Sequence, residues 1–210
     1  MEGHPPSPPL SAKGTRLNKR GLETRAAVLR TAVRCLADGG PESVSANRIA
    51  REAGVTWGTV QHQFGDVDGL WAAVLTSVAE RATALVADAS TPTLEDRVGH
   101  VVGLIWEALE KPAVRAVVNL RRALPREREA LESEFPRTAD ALVDWDARWD
   151  RSVTEAFAGF DVDPVKLRRV RTLLPGAVRG LHDEQHLSSY ADIEGARTGL
   201  VEAITAYLMG

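Results

Sequence analysis

Two histidines in one short stretch carry the side chains with the most obvious catalytic chemistry. His182 and His186 lie four residues apart with Asp183 and Glu184 between them, so in a helix both imidazoles share one face. The spacing is similar to the His-Glu-x-x-His motif of zinc proteases, in which glutamate directly follows the first histidine. Asp183 stands at that position here, which changes the carboxylate geometry, so the protease motif is not matched.

The histidine pair has two further interpretations. With a third ligand from elsewhere in the chain, two histidines at this spacing could hold one metal ion. Alternatively, both lie near a helix C-terminus, where the helix dipole favours them. The sequence contains no Gly-rich phosphate loop, cysteine cluster or nucleophile elbow. We therefore expect that the protein is not an enzyme and that it has no catalytic residue and no cofactor. We also expect no bound metal, although the sequence does not decide whether His182 and His186 bind one.

A second set of polar side chains falls on a short predicted helix. Thr56 can cap this helix, and Val60 and Phe64, four residues apart, form its inward face. Gly58 would allow a phosphate to come near. The side chains expected to face wholly or partly outward are Trp57, Thr59, Gln61, His62 and Gln63. Together with Thr56 and Gly58, these residues are candidates for binding DNA.

The element before this helix must position it. Ser45, itself a candidate for binding DNA, can cap a helix over about residues 46–53, in which Ile49, Ala50 and Ala53 share one face. Gly54 then suits a left-handed turn, and Val55 an apolar plug between the helices. The pattern predicts a helix-turn-helix, whose second helix lies in the DNA major groove. An ordinary helical hairpin is the alternative, but cap, small residues and turn glycine coincide here.

A further helix precedes this pair, and basic residues surround its start. Its apolar positions recur at three- and four-residue steps until Gly39 and Gly40 end it: Leu22, Ala26, Leu29, Val33 and Leu36. Residues 1–64 hold nine Lys and Arg against five acids, whereas the remainder holds 17 against 24. The basic side chains that we expect to meet phosphates or an adjacent minor groove are Lys13, Arg16, Lys19, Arg20 and Arg25. A merely solvated tail is the alternative.

From Thr24 to about Glu80 the chain closely resembles the tetracycline-repressor (TetR) family. The resemblance is carried by TRAAVLRTAVRCLADGG, then VSANRIAREAGVTWGTVQHQFGD, then GLWAAVL. It implies a cytoplasmic, ligand-responsive DNA-binding regulator, most often a repressor that a small-molecule effector releases from a palindromic operator. It also implies that a variable C-terminal helical domain binds the effector and pairs two subunits.

Three positions depart from the usual family pattern. Gln61 replaces a phosphate-contacting tyrosine, Gln63 replaces the usual histidine, and Val67 replaces a common lysine. Some relatives have a Trp-Gly-x-x-Gln version of this helix, which Trp57, Gly58 and Gln61 resemble. The alternative function is therefore an all-helical ligand- or metal-binding protein with the same fold that has lost DNA binding.

The chain as a whole reads as all-α. We expect a disordered tail over residues 1–14, a helix-turn-helix domain over 15–65, and a ligand-binding and dimerisation domain over 66–210. The tail is rich in proline and lacks apolar periodicity, and no apolar run is long enough to span a membrane. Cys35, the only cysteine, is expected to pack on the first helix.

Beyond residue 66 the helix signals follow one another. Asp66 can cap a helix with Leu70, Val74, Leu75, Val78, Ala82 and Leu85, and Thr93 can cap one with Val98, Val101, Val102, Ile105 and Leu109. A helix over about 113–124 follows Pro112, and a long one over about 126–158 should kink or break at Pro136. Asp163 and Pro164 should begin a helix that reaches about Leu187 and bends at Pro175. The last helix should cover about 192–209.

The last two helices are the expected homodimer interface, since a palindromic site needs two recognition helices about 34 Å apart. The residues that would let helices pack closely there are Leu173, Leu174, Gly176, Val178, Gly180, Leu181, Gly195 and Gly199. Candidate ligand-binding residues offer apolar walls with polar handles: His100, Trp106, Arg115, Asn119, Trp145, Trp149 and Phe157. Packing inside one subunit is the alternative for both sets.

Overall fold

A computed structural model describes residues 14–15, 17–39, 44–81, 91–187, 189 and 192–210. Over these residues the chain forms ten α-helices and no strand, which confirms the all-α prediction. The helices are α1 (Lys19–Asp38), α2 (Ala46–Glu52), α3 (Trp57–Phe64), α4 (Val67–Arg81), α5 (Leu94–Glu110), α6 (Pro112–Ala123), α7 (Arg128–Glu134), α8 (Pro136–Ala156), α9 (Pro164–Leu187) and α10 (Ile193–Met209). The predictions for the tail over residues 1–13, Lys13, Arg16, Gly40, Ala82 and Leu85 concern positions outside the described residues.

Side-chain caps fix the helix starts where the sequence predicts them. Thr93 and Asp96 form a reciprocal capping box at the start of α5. Asp66 Oδ1 accepts from Gly69 N at 2.9 Å, and Asp163 Oδ1 accepts from Val165 N at 2.7 Å. Of the kink or break predicted at Pro136, the structure shows a break, because α7 ends at Glu134 and α8 begins at the proline.

The helices group into two compact units. The first, which we call the head unit, comprises residues 1–81 and 112–145, and the second, the body unit, comprises residues 82–111 and 146–210. Helix α8 runs from one unit into the other. This division by contacts does not coincide with the predicted boundary at residue 65, because α4, α6, α7 and the first part of α8 group with the helix-turn-helix.

Helix α1 is the centre of the head unit, where it packs against α2, α3, α4 and α6. Leu36 is buried as predicted, but the fully buried stripe is Val28, Ala32 and Cys35, whereas Leu22, Ala26, Leu29 and Val33 are only partly buried. The difference arises because a helix with neighbours on several sides buries more than one stripe. The packing role of Cys35 is confirmed, and burial raises the pKa of its thiol.

In the body unit, α5, α9 and α10 pack against one another. The predicted inward residues of α5 are all buried: Val98, Val101, Val102, Ile105 and Leu109. They meet a core to which α9 contributes Val170, Leu174 and Val178, and α10 contributes Ile204 and Leu208. Among the described helices, none is both long enough and apolar enough to cross a lipid bilayer.

Candidate nucleic-acid interface

Helices α2 and α3 have the predicted helix-turn-helix geometry. Ser45 Oγ accepts from Arg48 N at the start of α2, and Thr56 Oγ1 accepts from Thr59 N, at 3.2 Å, at the start of α3. Gly54 has φ +68°, the left-handed conformation that glycine adopts without strain. The turn is closed by a hydrogen bond from Val55 N to Ala50 O at 3.0 Å.

The inner side of α3 is held by the head unit's core. Val60 is fully buried and Phe64 is 4% exposed, as predicted from their spacing. On α2, Ile49 and Ala50 are buried in the same cluster, while Val55 packs against it from the turn. The packing of its inner side against the core therefore fixes the orientation of α3, and the opposite, outer side is free to contact a ligand.

The outer side of α3 carries most of the predicted DNA-binding side chains. Thr56, Gly58, Gln61 and His62 are exposed, and Thr59 is half-buried with its hydroxyl 3.0 Å from that of Thr56. Trp57 is also half-buried, because part of its ring packs against the core cluster. The exposed face thus combines hydroxyl, amide and imidazole groups, all of which can hydrogen-bond to base edges or phosphates.

Gln63 is not on the outer face, and the prediction that it points outward is wrong. Its side chain is buried and its Nε2 donates to Gly21 O, at 3.2 Å. The physical reason is its spacing: Gln63 lies three residues after Val60, and a three-residue step stays on the same side of a helix. The glutamine at this position therefore serves an internal contact between α3 and α1.

Arg25 is also used internally, contrary to its predicted place in a basic arm that meets phosphates. Its Nη1 donates to Gln63 O at 2.8 Å, and its guanidinium lies 4.3 Å from the centre of the Phe64 ring. Partial burial lowers the pKa of this arginine. Lys19 and Arg20, by contrast, are exposed on the first turn of α1, next to the Gly21 carbonyl that binds the end of α3.

Glu52 joins α2 to α1 through three donors. Its carboxylate accepts from Arg48 Nε at 2.7 Å, from Cys35 Sγ at 3.2 Å and from Arg34 Nη2 at 3.2 Å. These hydrogen bonds, that from Arg48 most of all, lower the pKa of Glu52 to about 2. The carboxylate is therefore ionised at every physiological pH, and it pairs with Arg48 of its own helix and with Arg34 of α1.

A contact that the sequence did not reveal holds the far end of α3. At the start of α8, Arg137 donates to Phe64 O at 3.2 Å and to Asp68 Oδ2 at 3.1 Å, and it pairs with Asp66. The backbone amides of Arg137 and Thr138 also donate to the Asp68 carboxylate, at 3.0 and 2.8 Å. Asp68 thus caps the first turn of another helix.

The contacts of Asp68 with Arg137 and Thr138 form what we call the clamp, and two details show how closely it is packed. A Cβ at Gly69 would overlap Phe64 O and lie 2.6 Å from Arg137 Nη1, so only glycine fits there. Desolvation acts to raise the pKa of Asp68, but the hydrogen bonds from Thr138 and Arg137 outweigh it and lower that pKa. Pro136 is the one sequence signal for the clamp, because a proline at a helix start leaves the next amides needing an acceptor.

The predicted ligand-binding residues are divided between the two units. Arg115, Asn119 and Trp145 belong to the head unit, whereas His100, Trp106, Trp149 and Phe157 belong to the body unit. Asn119 Nδ2 donates to Leu36 O at 2.8 Å, and Trp145 packs against the head unit's core. Arg115 is exposed. Asn119 and Trp145 therefore have structural contacts within the head unit.

The four residues in the body unit have varied surroundings. Phe157 is buried, and Trp149 Nε1 donates to Arg171 O at 3.0 Å. His100 Nε2 is buried and has no hydrogen-bond partner among the described residues. The guanidinium of Arg197 lies over the Trp106 ring, 4.5 Å from the centre of that ring. His100 therefore keeps a polar atom that a ligand could bind, whereas the Trp106 ring is already in contact with Arg197.

Comparisons with known proteins agree with this geometry. A family profile described as "Bacterial regulatory proteins, tetR family" matches residues 28–74, which include α2, the turn and α3. No curated protein sequence matches the chain. Among solved structures, a protein from Rhodococcus sp. assigned to the TetR family of transcriptional regulators is similar, with a TM-score of 0.61 and 23% identity over 89% of this chain and 99% of that one.

Two further solved structures share the fold. NalD, the secondary repressor of the MexAB-OprM multidrug efflux pump in Pseudomonas aeruginosa, has a TM-score of 0.57 at 20% identity, covering 89% of this chain and 98% of NalD. The multidrug binding protein EbrR, complexed with imidazole, has a TM-score of 0.56 at 22% identity, covering 95% of this chain and 97% of EbrR.

Proposed function

We propose that the chain is a TetR-family transcriptional regulator whose helix α3 reads the DNA major groove. The profile match over residues 28–74 and the fold shared with solved TetR-family structures support this proposal. TetR-family regulators are DNA-binding and generally non-enzymatic. The observation that carries the proposal is the outer face of α3, where Thr56, Gly58, Gln61 and His62 are exposed on a helix fixed from below. The matching profile describes bacterial regulatory proteins, and a bacterial protein that binds DNA would act in the cytoplasm.

Phosphate contacts are assigned to the positions around this face. Lys19 and Arg20 are exposed at the start of α1, beside the carbonyl that receives the Gln63 amide. Ser45, Thr56 and Thr59 add hydroxyls at the first turns of α2 and α3, where free amides attract anions. Gln63 and Arg25 are left out of this assignment because both are engaged inside the head unit.

The protein acts as a homodimer through α9 and α10 in this proposal. Large apolar side chains are exposed on both helices: Val165, Leu173, Leu187, Tyr207 and Met209. Gly176, Gly180 and Gly199 have open space around them, which would let a second copy approach closely. Leu174 and Val178, also expected at the interface, are buried within the chain. A twofold dimer would supply the two recognition helices that a palindromic operator requires.

We further propose that the protein is a repressor released from its operator by a small-molecule effector. Support comes from relatives of the same fold, since NalD is a repressor and EbrR a multidrug binding protein. Within the body unit, His100 offers a buried imidazole nitrogen without a partner, and Trp106 offers an aromatic ring. A polar handle beside apolar surface is the usual composition of a ligand site.

The proposal is tested by selecting binding sites from a pool of random-sequence duplex DNA. The selected duplex and a scrambled version are then compared by fluorescence anisotropy at several salt concentrations. We expect a palindromic selected site, preferred over the scrambled duplex by about 1000-fold or more, and an affinity that falls steeply with salt.

The alternative, a chain that keeps this fold but has lost DNA binding, makes the opposite prediction for the same experiment. No sequence would be enriched, and both duplexes would bind weakly and equally. The alternative was motivated by Gln61, Gln63 and Val67. The buried position of Gln63 weakens it, because that departure from the family pattern has an internal structural role.

A further inference from the structure

The histidine pair of α9 meets a carboxylate from α5 inside the body unit. His182 Nε2 lies 2.7 Å from Glu110 Oε1. One donor atom each from Glu110, His182 and His186 can be chosen so that all three lie within 4.8 Å of one another. Because Glu110 is the last residue of α5 and is 72 residues from His182 in sequence, only folding brings the third ligand to the pair.

We propose that Glu110, His182 and His186 together bind a divalent transition metal ion of the zinc class. Two imidazole nitrogens and one carboxylate oxygen form a common protein ligand set for zinc, with a fourth position left for water. Metal–ligand bonds of about 2.0–2.2 Å place neighbouring donor atoms roughly 3.3 Å apart in a tetrahedral site. Here the His182 nitrogen and the Glu110 oxygen are 2.7 Å apart, and all three donor atoms lie within 4.8 Å of one another.

The three ligands differ in how far they can adjust. The His182 side chain is only 9% exposed, and its ring is held edge-on by Trp106 with 5.1 Å between ring centres. Glu110 and His186 are exposed, so their side chains can rotate by the ångström or so that coordination requires. A rigid buried imidazole with two adjustable partners gives a site that can close on an ion.

Gln185 contacts two of the proposed ligands. Its Nε2 lies 3.1 Å from His186 Nε2 and 3.3 Å from Glu110 Oε1. Because an amide Nε2 can only donate, an ion bound at His186 Nε2 would take the lone pair that this contact uses and would displace the Gln185 amide. At His182, the ion would replace the proton that Nε2 shares with Glu110, and that proton would be released to solvent.

The competing interpretation is a plain ion pair between His182 and Glu110 that ties α9 to α5. His186 distinguishes the two interpretations, because it is a ligand in the metal site but takes no part in the ion pair. It is also exposed, so replacing it should leave the fold intact. His62, an exposed histidine on α3 in the head unit, provides the matched control for non-specific binding of metal to an imidazole.

The test is a Co²⁺ titration of the full chain, without an affinity tag and after treatment with a chelator. We expect visible absorption bands of tetrahedral Co²⁺ that saturate at one ion per chain and disappear when Zn²⁺ is added. His186→Ala should weaken Co²⁺ binding by at least about tenfold, since even the loss of a group that merely supports a ligand costs that much. His62→Ala should leave binding unchanged.

A second variant and a folding control complete the experiment. Glu110→Gln should also weaken Co²⁺ binding by at least about tenfold, and circular dichroism without metal should show that both variants keep their helices. The proposal is overturned if the wild-type chain gives no saturable spectrum, or if His186→Ala binds Co²⁺ as well as the wild type does. Neither outcome would bear on DNA binding, because no DNA is present.

Discussion

The head unit and the body unit use their polar side chains in different ways. In the head unit, Gln63, Asp68 and Arg137 all bond to partners within the unit, so that the helix-turn-helix is fixed while the outer face of α3 stays exposed. Most of the exposed large apolar residues, such as Leu173 and Met209, lie instead on α9 and α10 of the body unit. The first arrangement suits reading a rigid DNA surface, and the second suits pairing with another copy.

Leu173→Glu gives the largest expected effect, because it places a charge where two copies would meet. Leu173 is 57% exposed, so the folded subunit should tolerate the change. We expect a monomer by size-exclusion chromatography with light scattering, and an operator affinity about 1000-fold lower because one head must then bind alone.

Val143→Glu is the matched control, since Val143 is 46% exposed on α8 in the head unit. This variant should remain a dimer. A Leu173→Glu protein that also stays dimeric would show that α9 does not form the interface.

Gly69→Ala tests the rigidity of the head unit. The added methyl would overlap Phe64 O and crowd Arg137, so the backbone between α3 and α4 must shift. We expect urea unfolding to show a loss of about 3 kcal/mol. Gly103→Ala, at a helical glycine with open space, should instead raise the unfolding free energy by about 0.5–1 kcal/mol. Equal effects of the two changes would mean that the clamp is loose.

Asp68→Asn removes the charge at the centre of the same clamp while keeping the side chain's shape. The Asp68 carboxylate accepts hydrogen bonds from two backbone amides and from the Arg137 side chain. A hydrogen bond to a charged group contributes about 1.5–3 kcal/mol to stability. We expect a loss of about 2 kcal/mol in unfolding free energy at pH 7.

The same substitution should change the pH dependence of stability. The pKa of Asp68 is lowered by folding, so its contribution is complete above the unfolded value of about 3.9 and is lost as the pH falls through the folded pKa. The difference between wild type and Asp68→Asn should therefore shrink below about pH 4. A difference that is constant from pH 7 to pH 3 would contradict this account.

Arg20→Ala and Arg25→Ala should separate phosphate contact from packing, with the smallest effects. Arg20 is exposed, whereas Arg25 lies over Phe64 and binds Gln63 O. Arg20→Ala should lower the slope of log affinity against log salt by about 1 and leave stability unchanged. Arg25→Ala should lower the unfolding free energy by about 1 kcal/mol with little change in that slope. The reverse pattern would return Arg25 to the DNA contacts.

Local signals in the sequence predicted the helices well. The signals that predicted them depend only on residues a few positions away, so they can be recognised in the sequence without knowledge of the fold. Examples are the caps at Thr93 and Asp163, the break at Pro136 and the turn at Gly54. The inward positions of α3 follow in the same way, and the three-residue step from Val60 could also have placed Gln63 inside.

Contacts between distant residues could not be predicted in this way. Asp68 and Arg137 are 69 residues apart, and Asn119 is 83 residues from Leu36. Periodicity shows which side of a helix is apolar, but not which helix will cover it. For the same reason, the sequence did not show that the predicted ligand-binding residues belong to two different units. It also did not show that Glu110 is the third partner of the histidine pair.

The central claim, that the outer face of α3 reads DNA sequence, is tested most directly by Gln61→Ala. Gln61 is exposed in the middle of α3, and alanine favours the helix, so the fold should be unaffected. The measurement is the ratio of affinities for the selected and scrambled duplexes. We expect this ratio to fall about tenfold in the variant. An unchanged ratio for Gln61→Ala would contradict the claim.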